Sequence, residues 1–145
     1  MNLPEKIEVL IITLSDRASR GEYEDLSGPR ISVLVQEYFA HLNMKCTINK
    51  LVIPDNADEL RNIINVSGSN FNIIFTTGGT GIGPRDITVD TIKPMLTKEI
   101  PGIMEYIRVK YGKEKPNALL SRGVAGLIGM TLVYTLPGSV RAVNE

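Results

Sequence analysis

The chain has 145 residues, of which 43% are hydrophobic and 22% charged, and its 16 basic and 16 acidic side chains give a net charge of zero. This length predicts one domain over residues 1–145, and the lone cysteine and lone histidine exclude an internal disulfide and the usual His/Cys zinc sites. Zero net charge argues against broad nucleic-acid binding. Without a membrane-length apolar run or a signal sequence, we expect a cytoplasmic protein with no membrane partner.

Hydrophobic patterning in the first half of the chain predicts two strands and two helices. Residues 7–14 are a nearly continuous β-branched run, typical of a parallel strand that is covered on both faces. A helix follows, with an apolar face formed by Ile31, Leu34, Val35, Tyr38 and Leu42. Residues 46–53 predict a second strand that Pro54 stops. Asn56 and Glu59 then have the spacing of a capping box at the start of a second helix.

The second half continues the alternation of strands and helices. Residues 72–77 predict a third strand, and residues 88–97 predict a helix that Pro94 must kink unless it lies in the first turn. Another helical face is formed by Ile103, Met104, Ile107 and Tyr111. Residues 124–128 and 131–136 predict short strands around a two-residue turn. We therefore expect an α/β three-layer sandwich with a mainly parallel sheet and a short antiparallel hairpin near the C-terminus.

The densest chemical signal is the glycine-rich segment of residues 76–86, which follows the third strand. Its backbone N–H groups, unobstructed by Cβ atoms, favour a phosphate or carboxylate site over a plain sharp turn. Pro84 stands where a Walker A loop has lysine and where the dinucleotide fingerprint has its third glycine, so both motifs are excluded.

Two aspartates come just after strand ends, where ligands of open α/β sheets gather. Asp86 closes the glycine-rich segment and Asp55 follows the second strand. A pair of carboxylates beside a phosphate site can hold Mg²⁺ or orient a nucleophile. For Asp55 the pattern fits an ordinary turn equally well, whereas for Asp86 the functional interpretation is favoured.

Two further segments leave alternatives open. Pro137, Gly138 and Ser139 follow the last strand and fit either a second anion site or a plain helix N-cap. The polar segment of residues 15–29, which includes Asp16, borders the pocket or is simply solvated surface.

Several of these segments together resemble the signature motifs of the MogA/MoaB family of molybdenum cofactor biosynthesis proteins. The resemblance covers nearly the whole chain from Ile7 onward, and its most specific part is the glycine-rich segment with Pro84, Arg85 and Asp86. The other matching segments, in chain order, are residues 15–29, 53–55, 120–122, 126–129 and 136–139.

The resemblance implies a three-layer α/β molybdopterin adenylyltransferase that usually forms trimers. It implies transfer of AMP from Mg-ATP to molybdopterin, no tightly bound prosthetic group, and a downstream MoeA-like partner that inserts molybdate. The catalytic and magnesium-binding positions fall on Asp55 and Asp86. The implied substrate-binding residues are Thr77, Gly78, Gly79, Thr80, Gly81, Glu105, Ser121, Pro137, Gly138 and Ser139.

One departure from the family and two alternatives accompany this interpretation. The family continues after Ser139 with a full helix, whereas residues 140–145 supply under two turns at about 3.6 residues each, so we expect a shortened C-terminal helix. The first alternative is a MoaB-type carrier that binds molybdopterin with weak or no catalysis. The second is a scaffolding domain, since related domains occur within larger proteins such as gephyrin.

Overall fold

The computed structural model describes residues 3–145. Its strands are β1 (Lys6–Leu14), β2 (Lys45–Ile53), β3 (Ile73–Thr77), β4 (Lys98–Glu99), β5 (Ala125–Ile128) and β6 (Thr131–Leu136). Its α-helices are α1 (Asp16–Ser19), α2 (Ser27–His41), α3 (Ala57–Ser67), α4 (Thr88–Ile92), α5 (Pro101–Gly112) and α6 (Val140–Asn144). Short 3₁₀ helices cover Gly68–Asn70, Lys93–Met95 and Pro116–Leu120. Within residues 3–145, no helix is both long enough and apolar enough to cross a membrane.

The strands form one six-stranded sheet in the order β2-β1-β3-β6-β5-β4. Strands β2, β1, β3 and β6 run parallel, whereas β5 is antiparallel to both of its neighbours. The turn between β5 and β6 contains Gly129 at φ +59°, a left-handed conformation that suits a two-residue hairpin. The predicted mainly parallel sheet with a C-terminal antiparallel hairpin is therefore confirmed.

Strand β1 lies at the centre of the parallel part of the sheet and is covered on both faces. Its residues Val9, Ile11 and Ile12 are completely buried, as the continuous apolar run predicts. One face packs against α2 through a cluster formed by Ile7, Val9, Ile11, Ile31, Val35 and Phe39. The other packs against α3 and α4 through a cluster that includes Leu10, Ile12, Leu60, Ile64, Ile74 and Ile92. These two clusters make the molecule a three-layer sandwich.

The helix starts and faces follow local rules with one correction. Asn56 Oδ1 accepts a hydrogen bond from the Glu59 N–H at 3.0 Å, so the predicted cap of α3 is confirmed. On α2, the prediction that Tyr38 and Leu42 lie on the buried face is wrong, because these residues are 62% and 47% exposed. Phe39 is buried instead, since the contacts with β1 follow residues 31, 35 and 39 in steps of four.

The helix predicted over residues 88–97 is too long. Helix α4 ends at Ile92, and Pro94 lies in the first turn of the following 3₁₀ helix. Proline has no N–H and its ring would clash with the carbonyl four residues earlier, so an α-helix cannot continue through it undisturbed. Thr97 bonds instead to the edge of β5, where its N–H donates to Leu127 O at 2.7 Å.

Candidate active site

Four segments leave the sheet where the parallel strands β2, β1, β3 and β6 end. Because parallel strands present their carboxyl ends at one edge, these segments lie side by side at the place where open α/β sheets bind ligands. We call this side of the sheet the carboxyl edge. In sheet order, the first functional candidates after the four strands are Asp55, Asp16, Gly78 and Pro137.

The segment between β3 and α4, residues 78–87, is the glycine loop. Gly78 and Gly79 have φ values of +100° and +70°, which side-chain-bearing residues rarely adopt. A Cβ atom at Gly78 would overlap the carbonyl oxygen of Leu14, and one at Gly79 would overlap Thr88 Oγ1. Glycine is therefore required at both positions for backbone conformation and for space.

The glycine loop lies directly against residues 137–139, which we call the Pro137 turn. The Gly78 N–H donates to Leu136 O at 3.0 Å, and Thr77 Oγ1 donates to Pro137 O at 2.8 Å. A Cβ atom on Gly138 would lie 3.2 Å from Gly78 Cα. In the same turn Ser139 Oγ accepts from the Ala142 N–H at 3.1 Å and so caps α6. The structure thus brings Thr77, Gly78 and the Pro137 turn together.

Part of the glycine loop's hydrogen-bonding capacity is left over for a ligand. Asp86 Oδ2 accepts from the Gly83 N–H at 2.8 Å, and the loop glycines leave room for this carboxylate. Within residues 3–145, the N–H groups of Gly79, Thr80 and Gly81 donate to no protein acceptor. These three consecutive donors are the part of the predicted anion site that the fold leaves free.

Asp55 forms a reciprocal pair with Asp16, which joins the segments after β2 and β1. The Asp16 N–H donates to Asp55 Oδ2 at 3.1 Å, and the Asp55 N–H donates to Asp16 Oδ1 at 2.9 Å. From the glycine loop, the Arg85 guanidinium donates to both carboxylate oxygens of Asp16 and, at 3.2 Å, to Asp55 O. Arg85 therefore connects the glycine loop to both of the other segments.

The pKa values of the two paired aspartates are shifted in opposite directions. Burial raises the pKa of Asp55 above its ordinary value of 3.8, and the charges of Asp16 and Asp86 raise it further, against the opposing effect of the Asp16 N–H and Arg85. The hydrogen bond from the Asp55 N–H lowers the pKa of Asp16, and Arg85 lowers it further. The folded structure therefore disfavours the ionised form of Asp55.

The carboxylates at this edge are donors of the kind that magnesium takes. Asp55 and Asp86 each use Oδ2 in a backbone hydrogen bond, so Oδ1 of each is available for a cation. No group of three or more metal-ligating side chains occurs within residues 3–145. Magnesium commonly takes one or two carboxylates and completes its shell with water and substrate phosphates. The two aspartates fit such an ion when a polyphosphate supplies further ligands.

A cavity of about 510 Å³ lies on the other flank of the glycine loop, bounded by α5, the 3₁₀ helix of Pro116–Leu120, β6 and α6. Its walls are mostly apolar, with Met104 and Leu136 among them, and three cations, Arg108, Lys115 and Arg141, also line it. Of the predicted substrate-binding residues, the ones that line it are Thr80, Gly81, Ser121, Pro137 and Ser139.

The structure does not bring Glu105 into this arrangement. Glu105 is exposed on α5 and is not part of the cavity wall, although Met104 beside it is. Its substrate-binding role stays a prediction. The sequence places Asp16 in a segment that borders the pocket or is solvated, and Arg85 in the family-like motif, but it predicts no site role for either residue; the structure places both beside Asp55. The available signal for Asp16 was its position just past β1, matching that of Asp55 past β2.

Comparison with known proteins agrees with this geometry. The family described as "Probable molybdopterin binding domain" matches residues 10–145. The chain belongs to this family. The molybdopterin adenylyltransferase of Pyrococcus furiosus is 37% identical over 147 residues, which cover 97% of this domain and 83% of the relative. The molybdopterin adenylyltransferase of Helicobacter pylori J99 is 34% identical over 143 residues, with coverages of 97% and 80%.

Solved structures place the molybdopterin-binding domain in the same family by shape. The crystal structure of the tungsten cofactor synthesizing protein MoaB from Pyrococcus furiosus superposes with a TM-score of 0.80 at 35% identity, covering 98% of this chain and 88% of that one. Longer relatives also match. The domain spans 20% of the length of gephyrin from Dictyostelium discoideum and 23% of the Drosophila melanogaster protein cinnamon, at 38% and 36% identity.

Proposed function

We propose that this molybdopterin-binding domain transfers AMP from Mg-ATP to the phosphate of molybdopterin. A phosphate oxygen of molybdopterin forms a bond to the α-phosphorus of ATP, the bond from that phosphorus to the bridging oxygen breaks, and pyrophosphate leaves. The observation that carries the proposal is the glycine loop, which contributes Thr80 and Gly81 to the cavity and Asp86 to the edge that holds Asp55. Two anionic substrates can therefore meet across one short loop.

The residues divide the work between binding and orientation. The free N–H groups of Gly79, Thr80 and Gly81 are donors for the molybdopterin phosphate. The apolar cavity beside them accommodates the flat pterin ring, and Ser121 supplies a polar group to its wall. Adenylyl transfer needs little covalent help from a protein, so fixed donors that orient the two phosphates supply most of the catalysis.

Asp55 and Asp86 would hold Mg²⁺ together with the phosphates of ATP. When bound, the ion would neutralise charge between the two anionic substrates. Burial is the main cause of the raised pKa of Asp55, and the charges of Asp16 and Asp86 add to it, so a bound cation would stabilise the ionised carboxylate.

The proposal is tested by pyrophosphate release from ATP, Mg²⁺ and molybdopterin. Asp55→Asn and Asp86→Asn should each lower kcat by about 100-fold or more, because a lost carboxylate removes charge and geometry that the transition state needs. Asp58→Asn is the matched control, since the Asp58 side chain is 95% exposed on α3 and forms a surface ion pair with Arg61. Normal turnover in both site variants would refute the assignment.

A second measurement separates the enzyme from the carrier alternative. Fluorescence titration of molybdopterin binding, run on the same samples, should show binding together with pyrophosphate release. Binding without any pyrophosphate release would establish a carrier. A trimer, a MoeA-like partner that receives the adenylylated product, the absence of a tightly bound prosthetic group and a cytoplasmic location are part of the same proposal and rest on the sequence and its family resemblance.

A further inference from the structure

We propose that Arg122 is a positioning residue for adenylyl transfer. It holds two arms of the glycine loop, one with the free N–H groups of Gly79, Thr80 and Gly81 and one with Asp86, so that these groups keep their orientation. The inference rests on the proposed function. It concerns a residue that the carboxylates and the cavity do not include, since Arg122 lies in the segment between α5 and β5 and does not line the cavity.

The contacts of Arg122 reach both arms of the glycine loop. Its Nε donates to Gly81 O at 2.9 Å, and its Nη2 donates to Asp86 O at 3.2 Å. Its backbone N–H donates to Thr80 O at 2.8 Å. The guanidinium also forms a two-point ion pair with Asp90 of α4, at 2.9 Å and 3.1 Å. One residue thus joins the anion-binding arm, the carboxylate-bearing arm and the helix that follows.

The geometry requires a guanidinium rather than a positive charge alone. An arginine presents five N–H donors in a rigid plane, and here four of them are directed at four oxygens of the loop and Asp90. A lysine ammonium at this position is a point charge and cannot hold Gly81 O, Asp86 O and Asp90 in one plane. Carbonyls that face one fixed fork are restricted in rotation, and this orients the N–H groups and the carboxylate attached to the same backbone.

The role is indirect because these donors are already engaged with the protein. Ser121, the preceding residue, lines the cavity, whereas the Arg122 side chain contacts the loop and α4. Arg122 is therefore expected to change the rate of the chemical step more than the affinity for either substrate. Loss of a contact that is equally strong in the ground state and the transition state would change KM instead.

Amide hydrogen exchange tests the loop directly and needs no substrate. In Arg122→Ala and Arg122→Lys, the hydrogen-bonded amides of residues 78–87, those of Gly78, Gly83 and Asp86 among them, should exchange at least about 10-fold faster, the change expected when charge-assisted hydrogen bonds are lost. Arg61→Ala is the matched control, because Arg61 forms an Arg–Asp pair of 2.8 Å on the surface of α3. Unchanged exchange in residues 78–87, or an equal rise throughout the chain, would overturn the proposal.

Steady-state kinetics of pyrophosphate release test the consequence for the reaction. We expect kcat to fall by about 10- to 100-fold in both Arg122 variants, with KM for ATP and molybdopterin within about 3-fold of the wild type. Full activity in Arg122→Lys, or a raised KM at unchanged kcat, would overturn the positioning role. A wild-type chain that releases no pyrophosphate would instead refute the proposed function, while the exchange measurement still decides whether Arg122 fixes the loop.

Discussion

At the two edges of the parallel sheet, neighbouring strands and the segments beside them are joined by hydrogen bonds of different kinds. At the amino edge, where the parallel strands begin, Asn72 joins β1 to β6 through neutral groups. Its Oδ1 accepts from the Glu8 N–H at 2.7 Å, its N–H donates to Glu8 O at 2.8 Å, and its carbonyl accepts from the Leu132 N–H at 3.0 Å. At the carboxyl edge the corresponding connections use Asp16, Asp55 and a guanidinium.

The difference predicts that function and stability depend on opposite edges of the sheet. At the amino edge, the side-chain oxygen, the N–H and the carbonyl of Asn72 are each paired with a backbone group of β1 or β6, which favours stability. The carboxyl edge contains two left-handed glycines, three consecutive free N–H groups and a carboxylate with a raised pKa. Departures from local rules of this kind concentrate at functional sites. Substitutions at the two edges should therefore separate effects on activity from effects on stability.

The largest expected effect comes from the two turn glycines. Gly78→Ala at the carboxyl edge should lower the free energy of unfolding by about 3–5 kcal/mol, because the new Cβ atom meets the Leu14 carbonyl in a left-handed conformation. Gly129→Ala in the β5–β6 turn should cost only about 1–2 kcal/mol, since that Cβ atom has open space. Urea denaturation measures both. Equal losses would show that the backbone conformation alone matters.

A second pair of variants should give opposite outcomes in two assays. Asn72→Ala leaves the Glu8 N–H without its acceptor and should cost about 1–3 kcal/mol of stability while keeping adenylyl transfer. Asp55→Asn should lose adenylyl transfer while losing no stability at pH 7. Urea denaturation and pyrophosphate release on the same samples check both. If both variants lost stability and activity alike, the two edges would not be functionally distinct.

The pH dependence of stability should also differ between the paired aspartates. The raised pKa of Asp55 means that its stabilising contribution is present below pH 3.8 and is lost as pH rises through the folded value. The Tm of Asp55→Asn should therefore rise relative to the Tm of the wild type as the pH increases from about 3.5 to 7. Asp16 has a lowered pKa, so its contribution is present above pH 3.8 and lost as pH falls through the folded value.

Calorimetric scans over this pH range distinguish the two cases. The Tm deficit of Asp16→Asn should be largest at pH 7 and shrink on acidification, which is the reverse of the trend for Asp55→Asn. Parallel trends in the two variants would mean that the pair titrates as one unit.

The part of this molecule that the sequence predicts is the part that depends on local physics. The continuous run of β1, the Asn56 cap and the β5–β6 turn each follow from a few neighbouring residues. The glycine loop was also identified from its sequence, because several glycines after a strand have few other uses. Local reasoning failed at Pro94, since its effect on α4 depends on where the helix has already ended, and on the face of α2, where Tyr38 is exposed.

The rest of the site depends on contacts between residues far apart in the chain. Arg85 and Asp16 are 69 residues apart, and Arg122 lies 41 residues from Gly81. Neither contact can be identified without the sheet order, which places the segment after β1 beside the segments after β2 and β3. Charged residues in polar loops also look alike whether they are solvated or joined to a distant partner. The pattern of the sequence therefore does not predict which side chains pair across the carboxyl edge.

The smallest effect is expected between the two edges, at Thr76 in β3 and its register partner Thr135 in β6. Thr135 Oγ1 accepts from the Val124 N–H at 2.7 Å and donates to Val124 O at 3.0 Å. Thr76 is fully buried, and within residues 3–145 its hydroxyl has no hydrogen-bond partner. Thr135→Val should cost about 1–3 kcal/mol, whereas Thr76→Val should change stability by less than about 1 kcal/mol and favour the folded state, because it removes an unpaired buried hydroxyl.

Urea denaturation of these two variants, which remove the same hydroxyl from adjacent strands, gives a direct comparison. A loss at Thr76→Val as large as that at Thr135→Val would mean that the Thr76 hydroxyl is hydrogen-bonded in solution, with buried water as the available partner. In that case the Thr76 hydroxyl in β3 would have a hydrogen-bond partner, and the departures from local rules would be confined to the carboxyl edge. If Thr76→Val is instead more stable than the wild type, the first departure from local rules is Thr76 itself, inside the strand that leads into the glycine loop.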